Sequence, residues 1–409
     1  MQHDPYGLDG PDFRENPFPA YAQLRARAPV YFHASWNAWL LTRYQDVLAG
    51  FRDPRLSCKR AERVTPHAMP ETMRRMQALM GPMIRYVSSW MLMNDPPDHT
   101  RLRSLVNKAF TSRMVESLRP RIQSLTDQLL DRVEDSGRMD VMRDLANVLP
   151  VLVIGEMLGL PPEDGERLKA WSDMLAALAS GRVALAQVEQ AAADFRELER
   201  YLEDVLARRR KDPGNDLIST LLAAEEEGRI LNEQEILSTC LLLLFAGHET
   251  TTSLIGNGLH ALLHQPEQLW LLRDSVELPA SAIDELLRYD SPVQRMSRLA
   301  LEDMEVGGQR IAMGERIFLM MGSANRDPEQ FSEPDRLDVR RENNRHLAFG
   351  MGIHYCAGAP LARLEGQIVI GTVLRRFPHL RVAPERPMWS DNTTFRGMRS
   401  FPVLLRPEA

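Results

Sequence analysis

The sequence predicts a mainly α-helical protein with a small β region, folded as a single large domain. Three observations carry that prediction. Apolar residues recur at helical spacing through the middle of the chain, as at Leu118, Ile122, Leu125 and Leu129, and again from Val151 to Leu158. Runs rich in β-branched and aromatic residues are short and confined to the regions near 30–42 and 297–321. The 409 residues would accommodate two or three domains, yet no internal repeat or low-complexity linker divides them.

Taken in order, residues 17–27 read as a helix. Val30-Tyr31-Phe32 and Ala38-Trp39-Leu40-Leu41-Thr42 read as strands around Trp36-Asn37, and 44–51 as a short helix. Residues 59–93 are less regular. Pro66, Pro70, Gly81 and Pro82 break the pattern, and Met73, Met76, Met80, Met83, Met91 and Met93 suggest adaptable packing. After Asp95-Pro96-Pro97-Asp98 a helix runs to about 108, with His99 and Arg103 four apart on one face. Two cations so placed suit a pair of carboxylates or a solvated face. From about 115 to 211 the pattern is nearly all helix, interrupted at Gly159-Leu160-Pro161-Pro162. Its basic end, Arg208-Arg209-Arg210-Lys211, complements a helix dipole.

A long helix begins near Asn232 and passes Leu259. Its apolar run gives way abruptly to Ala246-Gly247-His248-Glu249-Thr250-Thr251-Thr252. Glycine and β-branched threonine weaken a helix. A Thr250 hydroxyl bonded back to the Ala246 carbonyl would open the backbone and make room for a small molecule. A zinc-protease HExxH reading fails because Thr252 stands four beyond His248, and a mid-chain helix cap leaves Glu249 unexplained. Glu285 and Arg288, at i and i+3 on a helix, read by spacing alone as a surface ion pair of little energetic value. Strands follow at 297–306, 310–311 and 316–321 with a hairpin turn at Gly307-Gly308.

The stretch Phe349-Gly350-Met351-Gly352-Ile353-His354-Tyr355-Cys356-Ala357-Gly358 delivers one cysteine to the start of a helix with Pro360 in its first turn. Unpaired N–H groups and the positive helix end would acidify that thiol. A thiolate there attacks a substrate or holds a metal, whereas a lone free cysteine is most often a core residue. Gly350, Gly352 and Gly358 lack Cβ atoms, which suits a loop pressed against a flat, bulky ligand and favours the metal alternative, with Phe349 as apolar cover.

Composition bounds the partners. Hydrophobic residues make up 44% and charged residues 26%, as in soluble globular proteins. The net charge of −6, from 50 basic and 56 acidic side chains, gives no overall attraction to nucleic acid. Cys58, Cys240 and Cys356 are far apart, without zinc spacing, and fit a reducing compartment. The N-terminus has neither a signal peptide's apolar core nor an anchor, and no segment approaches the roughly 20 apolar residues needed to span a bilayer. The expectation is a cytoplasmic protein with no membrane or nucleic-acid partner.

Residues 349–358 resemble the haem-binding loop of the cytochrome P450 family, Phe-Gly-x-Gly-x-His-x-Cys-x-Gly, at each defining position. Ala246-Gly247-His248-Glu249-Thr250 is similar to the family's oxygen groove. The Asp95-Pro96-Pro97…His99…Arg103 pattern and the Glu285…Arg288 pair appear in family order, so the resemblance covers nearly the whole chain. It is closest in kind to the bacterial, soluble, stand-alone branch. It implies a cytochrome P450 fold around a buried haem b (iron protoporphyrin IX), with Cys356 as axial iron ligand. Phe349, Gly350 and Ala246 would border the cofactor, and His99, Arg103, Arg298 and His354 would hold its propionates. Glu249 and Thr250 would manage protons, and Glu285, Arg288 and Arg336 would support the cysteine loop.

By the same resemblance, 59–93 roofs the substrate through Val87, Trp90 and Met91, and 165–195 is a mobile lid bending near Gly181. Residues 232–264 form the oxygen-activating helix. Phe395, on a turn at 392–397, joins Leu242, Phe245, Ala246, Val293 and Met296 around an apolar cavity. The implied activity is an NAD(P)H-dependent monooxygenase that inserts one atom of O2 into an apolar small molecule by hydroxylation or epoxidation. A secondary metabolite such as a macrolide polyketide is the first expectation, ahead of steroids and fatty acids. Because the sequence ends soon after the cysteine-loop helix, electrons are expected from a ferredoxin and its reductase. Arg101, Lys108, Arg113, Arg341, Arg345 and Arg363 are the expected docking cations. The rivals are a peroxide-driven or non-oxygenating haem-thiolate enzyme, against which Glu249-Thr250 argues, and a haem-dependent sensor or binding protein without turnover.

Overall fold

Helices account for most of the chain and strands are short in the computed structural model, which describes residues 4–59, 71–179, 185–226, 232–273, 275 and 277–407. These divide into two compact units: Met1–Ser57, Val115–Leu149 and Thr250–Ala409 in one, Cys58–Met114 and Pro150–Glu249 in the other. The boundary falls inside the helix Glu233–Leu263, between Glu249 and Thr250.

In the first unit a five-stranded sheet runs in the order Val30–His33, Ala38–Leu41, Arg316–Leu319, Met296–Ala300, Leu56–Ser57. Ala38–Leu41 lies parallel to Arg316–Leu319, with Trp39 opposite Ile317, and the other pairs are antiparallel. Alternation sends neighbouring leucines to opposite faces. Leu41 packs with Tyr44, Val47 and Phe51 of the helix Tyr44–Arg52 and with Ile317 and Leu347. Leu40 packs with Leu8, Phe13, Tyr21 and Leu24. The hairpin Met304–Val306 to Gln309–Ile311 turns through Gly307 and Gly308 at φ of 56° and 76°, which a two-residue primed turn requires.

Several elements differ from the sequence expectation, and the strand expected over 297–306 is divided into Met296–Ala300 and Met304–Val306. The strand Arg138–Asp140, in a stretch read as nearly all helix, pairs with Pro402–Leu404 near the far end of the chain. In the second unit the helix Glu71–Ser88 continues through Gly81 and Pro82, where the sequence suggested a break. An interior proline costs about 3 kcal/mol, and the helix offsets it by packing. Tyr86 is buried, its hydroxyl donates to Glu199 at 2.6 Å, and its ring lies 5.7 Å from Phe195. The Tyr86 carbonyl also accepts from Ser238 Oγ at 2.7 Å. Pro66 and Pro70 of the expected roof, and Gly181 of the expected lid, lie outside the described residues. Among the described residues no helix is long and apolar enough to cross a membrane.

Candidate functional site

The cysteine loop closes on itself. The Gly350 N–H donates to Leu347 O at 2.8 Å, Tyr355 N–H to Gly352 O at 3.1 Å, and Cys356 N–H to Phe349 O at 2.9 Å. Gly350 and Gly352 take φ of 69° and 72°, a left-handed conformation that side chains disfavour. A Cβ on Gly352 would stand 3.0 Å from the Phe51 carbonyl oxygen, so the loop lies tight on the helix Tyr44–Arg52. The helix Ala359–Arg376 follows, with proline in its first turn as expected. Cys356 is exposed, while Cys58 and Cys240 are buried. A Cβ on Gly358 would come 4.0 Å from Cys356 Sγ, so glycine leaves that flank of the sulfur open. An exposed soft donor with glycine on one flank fits a haem iron that would be held through a thiolate.

The Arg363 guanidinium sits 4.7 Å above the Phe349 ring, and His346 and Tyr355 flank it at 5.7 and 6.2 Å.

On the long helix, in the second unit, Leu242 and Phe245 are buried and Trp90 stacks on Phe245 with centroids 5.3 Å apart. A Cβ on Gly247 would fall 2.7 Å from Ile154, which gives this glycine a packing role the sequence did not suggest. The helix is continuous across Ala246, Gly247 and Thr250. Burial lifts the Glu249 carboxyl above the usual carboxylate range, and the charge of Asp173 acts in the same direction. His248 is buried with Nδ1 3.9 Å from Asp173 Oδ1. Val87, next to last in the helix Glu71–Ser88, is half-buried, and Met91 opens a single turn, Met91–Met93.

Also in the second unit, His99 and Arg103 share the helix Asp98–Ala109. His99 is buried, and burial followed by the nearby Arg103 charge depresses its pKa, with Asp95 opposing. Arg103 Nε donates to Asn107 Oδ1 at 2.9 Å.

In the first unit Thr252 Oγ1 donates to Ala146 O at 2.8 Å. Arg298 is buried on the strand Met296–Ala300; it donates to Ser297 O at 3.0 Å and lies 5.4 Å from the Phe51 ring. His354 ends the turn Gly352–His354, half-buried. Val293 and Phe395, both expected substrate contacts, form a backbone bridge. Asn392 Oδ1 accepts from the N–H groups of Thr394 and Phe395 at 2.9 and 3.1 Å, which builds the turn. Val293 and Met296 also pack on the sheet core.

The Glu285–Arg288 pair is fully buried, with contacts of 2.7 and 2.8 Å. Arg288 also donates to the carbonyls of Asn325, Pro334 and Arg336 at 2.9, 2.8 and 3.0 Å. The expected role of the Arg336 side chain is corrected here. Its guanidinium pairs at the surface with Glu333 at 3.1 Å, and only its carbonyl joins the network. The meander arginine on Glu285 is Arg341, at 3.1 and 3.2 Å, with Asn344 Nδ2 at 3.1 Å and Asp338 N–H at 2.9 Å. Arg336, Arg340, Arg341 and Arg345 are too close in sequence for spacing to choose among them. Three expected docking cations are likewise committed: Arg101 to Glu235 at 2.5 Å, Arg341 to Glu285, and Arg363 to Asp284 at 2.7 Å. Arg113 and Arg345 are exposed, and the Lys108 side chain lies outside the description.

A family model described as "Cytochrome P450" matches residues 84–274 and 270–398. The chain is 41% identical over 405 residues to the polyketide biosynthesis cytochrome P450 PksS of Bacillus subtilis (strain 168), covering 97% of each. It is 42% identical over 415 residues to the vitamin D(3) 25-hydroxylase of Pseudonocardia autotrophica, covering 100% of this chain and 98% of that one. Among solved structures, epothilone B-bound cytochrome P450epoK aligns with a TM-score of 0.90 at 35% identity over the full length of both chains.

Proposed function

The chain belongs to the cytochrome P450 family, whose chemistry is haem-thiolate oxygenation of small organic substrates, and we propose that it inserts one atom of O2 into an apolar small molecule by hydroxylation or epoxidation. The observation that carries the reading is the loop geometry: two left-handed glycines and the Cys356 N–H to Phe349 O bond present an accessible thiol. Haem b, when bound through Cys356, supplies the oxygen-activating chemistry. His99, Arg103, Arg298 and His354 are the proposed propionate ligands, and Phe349, Gly350 and Ala246 the proposed neighbours of the ring.

The protein's own part is orientation, dryness and protons. Trp90, stacked on Phe245, is assigned to a flat apolar wall that would exclude water. With Val87, Met91 and Leu242 it suits a substrate with few charges, as do Val293, Met296 and Phe395 in the other unit. Glu249, with its raised pKa, keeps its proton at higher pH than an exposed glutamate and so can act as donor. The Thr250 hydroxyl, next along the helix, is assigned to hold the hydrogen bond through which that proton passes. Thr252 is committed to Ala146 O and is not assigned that role.

A macrolide polyketide is the proposed substrate class. The polyketide-pathway relative and the epothilone B-bound structure support it, and the vitamin D(3) relative supports sterol-like molecules as the next class. Electrons are proposed to come from NAD(P)H through a ferredoxin and its reductase in the cytoplasm, with Arg113 and Arg345 as exposed docking cations. Turnover of macrolactones with 18O2, NADPH, ferredoxin and reductase should place one labelled atom in each product. Product formed with peroxide alone, and none with the reductase system, would contradict the proposal. In Thr250→Ala, NADPH consumption should continue while product per NADPH falls by roughly tenfold or more and hydrogen peroxide rises. Wild-type coupling in that variant would remove Thr250 from its role.

A further inference from the structure

Two adjacent carboxylates on the helix Ala280–Tyr289 hold different parts of the chain. Glu285 binds Arg288 and the meander. Asp284 stands outside that network. Its Oδ1 accepts from Arg363 Nε at 2.7 Å and lies 3.1 Å from His346 Nε2. His346 precedes the cysteine loop and Arg363 lies on the helix that follows it, so one oxygen atom ties the two sides of the loop together. Asp284 and Arg363 are about one quarter exposed and His346 is nearly buried, so the bonds are partly shielded from water. Burial acts to raise the Asp284 carboxyl pKa, but His346 and then Arg363 outweigh it and hold the group below the usual carboxylate range.

The tie reaches the loop itself. Arg363, held by Asp284, lies over the Phe349 ring, and Phe349 O accepts the Cys356 N–H. His346 Nδ1 receives the Ala348 N–H at 3.2 Å and its ring flanks Phe349. The Tyr355 hydroxyl is 3.5 Å from Arg363 Nη1. The residues on both sides of Phe349–Cys356 are therefore fixed through one carboxylate, and pinning both ends of a loop restricts its middle.

We propose that Asp284 is a positioning residue for the thiolate, acting as a clasp through Arg363 and His346 that keeps the Cys356 loop in its ligating conformation. The inference rests on the haem-thiolate reading above and adds a residue to it. Asp284→Asn keeps the shape and removes the charge that orients Arg363. The reduced, carbon monoxide-bound holoenzyme is followed in mild urea, where loss of thiolate ligation is read from its absorption band. Asp284→Asn should lose the thiolate-type band at least tenfold faster than wild type, with far-UV thermal unfolding little changed, and Asp284→Glu should recover part of the difference. Arg363→Lys keeps a cation but not the flat guanidinium over Phe349, and should fall between. Asp303→Asn, which removes a surface pair with Arg310, should convert at the wild-type rate. A wild-type rate in both Asp284→Asn and Arg363→Lys would overturn the clasp alone. A wild type without any thiolate-type band would overturn the haem-thiolate reading and the clasp together.

Discussion

Glu285→Ala is expected to prevent accumulation of folded, haem-loaded protein. Glu285 and Arg288 are fully buried, and the carboxylate also takes Arg341, Asn344 and the Asp338 N–H. Removing it strands the Arg288 charge among three neutral carbonyls and leaves the other donors without their acceptor. Breaking a buried pair in this one-sided way costs about 3–5 kcal/mol, against a typical total stability of about 5–15 kcal/mol. The meander that precedes the cysteine loop would lose its anchor first. The check is the yield of soluble holoprotein and the urea midpoint of whatever folds. A variant with wild-type yield and midpoint would mean that the network contributes little.

The second large effect is a pH dependence centred on Glu365. This carboxyl lies on the helix Ala359–Arg376, 1% exposed, and burial pushes its pKa up to about 8 from 4.5. Its Oε2 has no hydrogen-bond partner among the described residues. A carboxyl whose folded pKa lies above its unfolded value binds more protons when folded. Its contribution is fully present below about 4.5, and is lost as pH rises through the folded value of about 8. Across that window the loss amounts to about 5 kcal/mol. Glu365→Gln cannot titrate. The stability difference between variant and wild type should therefore shift steadily in the variant's favour from pH 5 to pH 8. Urea unfolding of both proteins at several pH values measures it, and parallel curves would contradict the assignment.

Much of the local geometry around the candidate site was legible because its signals are local. Gly307-Gly308 permits the tight hairpin turn read there, and Gly350 and Gly352 permit the left-handed backbone that the cysteine loop takes. The Glu285–Arg288 pair is fixed by one helical turn. What stayed hidden depends on distant segments. The strand Arg138–Asp140 exists because Pro402–Leu404 pairs with it, and three residues carry no strand signal of their own. Pro82 stays helical because Tyr86 and its partners hold the helix, against the local preference. Choosing Arg341 over Arg336 needed the path of the meander, since both carry the same side chain at similar spacing. The Asp284 clasp draws on three segments at once, and no spacing rule connects them.

The most direct test of the account is the nature of the iron ligand. Purified with ample haem, reduced and exposed to carbon monoxide, the wild-type protein should show thiolate-type absorption, and Cys356→His should shift it to the imidazole type. Colourless wild-type protein, or an imidazole-type band before any substitution, would contradict ligation by Cys356 and the function built on it.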